Sequence, residues 1–236
     1  VIRCHFVRDE TKATMRLRAL MIGIGALLVI ATYTFRLWQP LLDTGIQTAP
    51  DSIFPGLPLA FVEIFSILPA EQQAAYRTVA EADPAKGVAM VVAALSPRQA
   101  APEDDEDLPT LIDSVIVAVG SFARIDAVRW GQGEATVYQS SNEPTLLRLD
   151  NFSVANGPDL RLAFSTMPQP TTTTEMRAAD VDGNNTVFEV GPLKGAYGSQ
   201  NFSLPTNLNV RQFASLVIYS EALDMIYSIA PLFIGG

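Results

Sequence analysis

Short segments in which apolar and polar residues alternate fill the C-terminal half of the chain, and this period of two is the strongest constraint on the fold. In "DLRLAFS", Leu160, Leu162 and Phe164 fall on one face, whereas Asp159 and Arg161 fall on the other. Alternation of this kind is typical of a half-buried β-strand. The segment therefore predicts a strand with one face in a core.

Eight such segments follow residue 111, separated by Gly, Pro and Asn turns. They read "IVAVGSF", "ATVYQ", "TLLRLDNF", "DLRLAFS", "TVFEV", "QNFSLP", "SLVIYS" and "MIYSIAPL". Short strands without intervening helices are typical of an antiparallel sandwich or barrel. We therefore predict an all-β antiparallel sandwich over residues 114–236, closed by a hairpin of the last two strands through "EALD".

Residues 56–95, ahead of the strands, predict a small helical hairpin or triplet. Pro69 with Glu71 marks the start of one helix, and Asp83 followed by Pro84 is typical of the N-cap and first turn of the next. About 40 residues are too few for an independent core. We therefore expect this segment to dock on the membrane, on the following domain or on another subunit.

Residues 96–113 predict an acidic, proline-rich linker. Five consecutive carboxylates run from Glu103 to Asp107. They lack the alternating oxygen donors and the turn glycine of a calcium loop, which favours a solvated spacer.

The N-terminal region predicts a membrane anchor. A basic tail, residues 1–18, ends in Arg18 and precedes an apolar run over residues 19–38 that includes Arg36 and ends in Trp38. The run is near the lower length limit for spanning a bilayer, Arg36 can snorkel, and the basic tail predicts a cytoplasmic N-terminus. No small-residue cleavage site follows, which favours a retained signal-anchor over a cleaved signal peptide.

This topology predicts a single-pass protein of the cell membrane. Residues 19–38 would contact the lipid bilayer, residues 39–55 would form a spacer, and the C-terminal domain would be periplasmic or extracellular.

Charge and composition exclude several classes of function. The formal net charge of -9 argues against a nucleic-acid partner, which needs clustered Lys and Arg. Cys4 is the sole cysteine and His5 the sole histidine, so the chain has no intrachain disulfide, no paired redox cysteines and no multi-cysteine metal site. The predicted exported part has neither residue type.

Several stretches of the strand region carry a family resemblance: "LRLDNF", "NGPDL" (Asn156, Gly157, Pro158, Asp159 and Leu160), "VGPLKGAYGSQNFSLP" and "LVIYSEALDMIYSIAPL". Over about residues 114–233 the chain resembles the DM-thirteen domain family, extracytoplasmic β-sandwiches related to DOMON domains. The resemblance implies a candidate electron-transfer domain, because family members carry a cysteine in the penultimate strand. That position corresponds here to Ser220.

A serine cannot cycle through thiolate and disulfide, and it is not a soft metal ligand. Family members also commonly have a histidine before the first strand turn, where residues 126–133 contain none. Ser220, Glu221 and Asp224 lack a histidine base for nucleophilic catalysis. We therefore predict no catalytic residue, no cofactor and no metal site.

The leading hypothesis is a non-catalytic, membrane-anchored extracytoplasmic accessory subunit. It would dock on other subunits of a membrane assembly, such as a respiratory or photosynthetic electron-transfer complex. The alternatives are a redox domain in its own right and a small-ligand-binding sandwich.

Overall fold

The computed structural model describes residues 53–140, 144–178 and 187–235. The predicted tail, the anchor of residues 19–38 with Arg18, Arg36 and Trp38, and most of the spacer lie outside this part of the chain. Within the described ranges, no helix combines the length and the apolar character needed to cross a bilayer.

All eight alternating segments are strands, which confirms the predicted all-β class. The strands are β1 (Val115–Ser121), β2 (Gly131–Gln139), β3 (Thr145–Val154), β4 (Leu160–Ser165), β5 (Val187–Pro192), β6 (Gln200–Leu204), β7 (Ser215–Ser220) and β8 (Met225–Ile234). Every pairing is antiparallel, in the order β5-β4-β7-β8-β1-β2-β3-β6. The result is a sandwich that approaches a barrel.

Strand β8 belongs to both sheets of the sandwich. Its part from Met225 to Pro231 pairs with β7, and its end from Leu232 to Ile234 pairs with β1. The pairing with β7 slips at Tyr227, a β-bulge that leaves this residue between two ladder partners. The predicted hairpin through "EALD" is confirmed, because residues 221–224 form the turn from β7 to β8.

The described ranges contain four α-helices: α1 (Leu59–Ser66), α2 (Ala70–Ala82), α3 (Pro84–Leu95) and the short α4 (Thr173–Arg177). Helix α3 starts as predicted, because the Asp83 carboxylate accepts hydrogen bonds from the backbone N–H groups of Ala85 and Lys86. Helices α2 and α3 approach closely at Gly87, where a Cβ atom would lie 2.5 Å from Ala80 Cβ.

The helical segment α1–α3 docks on the sandwich, one of the three possibilities expected from its size. Phe65 and Met90 are buried in the same apolar cluster as Leu147 and Phe152 of β3. Burial of large side chains from both parts supplies the hydrophobic free energy that a 40-residue segment lacks alone.

The acidic segment is not solvated throughout, in contrast to the expectation from its charge. Asp105 is only 9 % exposed, and its carboxylate lies 2.8 Å from Lys194 Nζ. Arg148, buried on β3, donates to the carbonyls of Asp105 and Glu106. The segment is therefore anchored by two cations of the sandwich, and the ion pair with Lys194 offsets the cost of burying the Asp105 carboxylate.

A second, smaller apolar cluster covers the outer face of β7. Tyr219 and Val217 point to this face, where Met176 of α4 packs on them and the Arg177 guanidinium lies over the Tyr219 ring at 5.2 Å. Tyr227 points into the main core instead. The two tyrosines of the hairpin therefore lie on opposite faces of the sheet.

Candidate functional site

The "NGPD" motif forms the turn from β3 to β4 and joins the sandwich to the helical segment. The Asn156 amide donates to the carbonyls of Ala93, at 2.7 Å, and Ser96, at 3.3 Å, where α3 ends. The last carbonyls of a helix lack an N–H donor four residues on, and Ala93 O accepts from the Ser96 N–H at 3.2 Å as well. Asn156 therefore supplies a donor to this helix end and fixes the helix against the turn.

Gly157 lies against the ring of Tyr227. A Cβ atom at position 157 would lie 2.6 Å from Tyr227 Cζ and 2.7 Å from its hydroxyl oxygen, a distance at which atoms overlap. Among the described residues the buried Tyr227 hydroxyl has no hydrogen-bond partner. Burial is the main cause that raises the pKa of this phenol, which keeps it neutral.

Ser220 ends β7 directly beneath the same turn. It is fully buried, its hydroxyl donates to the Pro158 carbonyl at 2.5 Å, and its oxygen accepts from the Leu223 N–H at 3.1 Å. The hydroxyl is thus engaged as both donor and acceptor. The motif and Ser220, chosen separately from the sequence, are in direct contact.

Asp159 completes the junction. Its backbone is in the left-handed region, with φ of 44°, its carbonyl accepts from the Glu221 N–H, and its carboxylate pairs with Arg161 at 3.2 Å. A cavity of about 260 Å³ lies beside the turn, lined in part by Asn156, Gly157 and Asp159. This volume is below that of most small-molecule sites, which are about 300–1,000 Å³.

The carboxylates of the hairpin turn do not assemble with Ser220. Glu221 forms an ion pair with Arg177, and Asp224 accepts from the hydroxyl of Thr173. A nucleophilic serine needs a base within hydrogen-bond reach of its oxygen. The Ser220 oxygen instead contacts two backbone groups, so its hydrogen bonds hold the two turns together and do not prepare a nucleophile.

Sequence reasoning missed Arg98 as a residue of this junction. Its Nη2 donates to Ser153 Oγ, Val154 O and Ala196 O, at 2.6, 2.9 and 2.8 Å. Its guanidinium also lies over the ring faces of Trp130 and Tyr197. The available signal was charge, because Arg98 is the single basic residue between Lys86 and Arg124.

The donor set at this junction does not fit a thiol-ligated redox metal. The position where the resemblance implies a cysteine holds a hydroxyl that is already hydrogen-bonded on both sides. In the part of the chain that the structure describes, no three His, Cys, Asp or Glu side chains cluster as metal ligands do. Cys4 and His5 lie outside that part.

The fold is an antiparallel β-sandwich. Its "NGPD" turn is hydrogen-bonded both to the end of the penultimate strand, β7, and to the end of helix α3. Residues 122–232 match the model of the family described as Electron transfer DM13. This match confirms the predicted DM-thirteen resemblance over that part of the chain. No curated protein and no solved structure matches the chain.

Proposed function

We propose that the protein is a non-catalytic, membrane-anchored extracytoplasmic module that docks on another subunit of a membrane assembly. The observation that carries the proposal is the apolar outer surface of the helical segment. Helix α1 exposes Leu59 and Ile64, and Ile67, directly after the helix, is 78 % exposed. Contiguous exposed apolar surface on a folded domain marks an interaction site.

A groove of about 640 Å³ lies on the same segment. Its lining is almost entirely apolar and consists of Pro55, Gly56, Pro84, Ala85, Val88, Ala89 and Val92. Along α3 the small residues Ala85 and Ala89 are one helical turn apart, as are Val88 and Val92. Small residues at this spacing allow a second helix to approach closely. The occupant that fits best is an apolar helix of a neighbouring membrane subunit.

The position of the groove along the chain supports the same occupant. Pro55 follows Trp38, the end of the predicted anchor, by seventeen residues. Such a tether spans at most about 60 Å when fully extended. An anchored chain would thus keep the groove within reach of the membrane-proximal parts of neighbouring subunits.

The test is co-purification from native membranes in mild detergent. We expect the full chain to co-migrate with a defined complex at fixed stoichiometry. Ala85→Glu places a charge in the groove at an exposed helix position and should abolish co-migration. Ala82→Glu, also exposed but outside the groove lining, is the matched control and should behave as the unmodified chain. Equal co-migration of both variants would contradict the proposal.

The family description favours a second candidate, in which the domain itself carries electrons. Ser220 offers no thiol for this role, and the described residues contain no cysteine or histidine. A chromophore or a metal on the purified full chain, with reversible reduction in a potentiometric titration, would support this candidate and overturn the first.

A further inference from the structure

We propose that a cleft between the β1–β2 loop and the β4–α4 loop binds a small organic monocarboxylate with an apolar body. The cleft has a volume of about 410 Å³, within the usual range of ligand sites. It is distinct from the groove on the helical segment, so the proposal does not depend on docking.

Two arginines converge on this cleft in a protein of formal net charge -9. Arg129 Nε forms an ion pair with Asp126 at 2.7 Å, so the charge of Arg129 is compensated. Arg124 forms no ion pair with a described carboxylate, and only its Nε donates to a described residue, the carbonyl of Asp126. Its two Nη groups are therefore free to face a ligand, as far as the described chain is concerned.

The charge balance selects a ligand with one negative charge. A guanidinium fork matches a carboxylate with two parallel hydrogen bonds. One uncompensated arginine neutralises a monocarboxylate, whereas a phosphate dianion would leave excess negative charge. Glu175, bonded to Thr171 at the rim, forms no ion pair with either cleft arginine and adds to the bias against a dianion.

Apart from the two arginines, Gln169 and Thr171, the lining of the cleft is apolar. Ile229 and Pro231 of β8 and Ile125 of the β1–β2 loop line it, and Ile125 is 40 % exposed. The loop is fixed to β8, because the Ala123 N–H donates to the Ile229 carbonyl at 3.0 Å. A preformed apolar wall beside a cation recognises an amphipathic anion at a low cost in ordering.

The β1–β2 loop is also held by hydrogen bonds within the loop. The Asp126 carboxylate accepts from the N–H groups of Val128 and Arg129, at 2.9 and 2.7 Å. On the opposite wall, the Glu175 carboxylate accepts from the N–H and the hydroxyl of Thr171. Both walls are therefore preorganised by short-range contacts.

The test uses the full chain in lipid nanodiscs and 19F NMR of 4-(trifluoromethyl)benzoate, with empty nanodiscs as the baseline. We expect a dissociation constant below about 1 mM for a ligand of this size. The neutral isostere 4-(trifluoromethyl)benzamide should bind at least about 10-fold more weakly, because it lacks the charge that the guanidinium recognises. Acetate and inorganic phosphate at equal concentration should not displace the probe.

Arg124→Gln should weaken binding of the benzoate at least about 10-fold, because it removes a charge-assisted pair. Arg211→Gln, an exposed arginine outside the cleft, is the matched control and should stay within about 2-fold. Equal affinity for the benzoate and the amide, equal affinity of the two variants, or displacement by phosphate would each overturn the proposal. So would the absence of binding at about 10 mM probe.

Discussion

Replacing Arg98 with alanine is expected to loosen the attachment of the helical segment to the sandwich. Three acceptors surround its Nη2, namely Ser153 Oγ, Val154 O and Ala196 O, all within 2.9 Å. One guanidinium nitrogen carries two hydrogens, so the three acceptors share two hydrogen bonds at any moment.

The size of the effect follows from these contacts. Hydrogen bonds of a charged group contribute about 1.5–3 kcal/mol each when buried, and the exposure of Arg98 reduces this to about 1 kcal/mol each. The ring faces of Trp130 and Tyr197, 5.6 and 5.4 Å from the guanidinium carbon, add about 1 kcal/mol together. Ordering the side chain costs about 1–2 kcal/mol. The net loss in the free energy of unfolding is therefore about 1.5 kcal/mol, a fall in Tm of about 3–6 °C.

Thermal and denaturant unfolding of the full chain in detergent measures this loss. Arg98→Lys keeps the charge but lacks the planar fork of the guanidinium, so it should recover less than half of the free energy of unfolding that Arg98→Ala loses. Arg211→Ala, an exposed arginine with one hydrogen bond to the Gly235 carbonyl, should cost less than about 0.5 kcal/mol. A free energy of unfolding for Arg98→Ala within about 0.5 kcal/mol of the unmodified chain would contradict this prediction, because it would show that these contacts do not hold the helices in place.

Two further predictions test the core on either side of this junction. In a Cys4→Ser background, Ser220→Cys should lower the free energy of unfolding by about 1–2 kcal/mol, because a thiol is a weak donor to Pro158 O. The buried thiol should react with a disulfide reagent only when the protein unfolds. Rapid reaction in the folded protein would contradict this prediction. Burial, with a smaller effect of Asp126, raises the pKa of Tyr76 to about 12. Above pH 10 the unfolded tyrosine loses a proton that the folded one retains, so stability should fall by about 1.4 kcal/mol per pH unit between pH 10 and 12. Denaturant unfolding at pH 8 and 11 should show a smaller fall for Tyr76→Phe than for the unmodified chain, and equal falls would contradict the assignment.

The strands and the helix starts could be predicted because their signals are local. Alternation along "DLRLAFS" and the Asp83–Pro84 pair each act within one element, and both appear where expected. The contacts of Arg98 join it to residues about 55 and 98 positions away, and no local pattern encodes such distances.

The faces on which the two hairpin tyrosines lie also could not be predicted from a local pattern. The bulge at Tyr227 shifts the alternation of β8 by one residue, so a strict period of two assigns the wrong face on one side of it. The junction of the "NGPD" turn with Ser220 was likewise visible as two motifs but not as one contact, because 62 positions separate Pro158 and Ser220.

The strand shared by both sheets also has a consequence for how the domain acquires its structure. Strand β8 is the last of the eight described strands, and its partner β1 lies more than 100 positions earlier, with Val119 opposite Phe233. Closing so long a loop is slow. Until β8 has been synthesised, the edges of β1 and β7 stay open to pairing with other chains. Pairing of β8 with both strands is therefore the step that removes these two edges from contact with other chains.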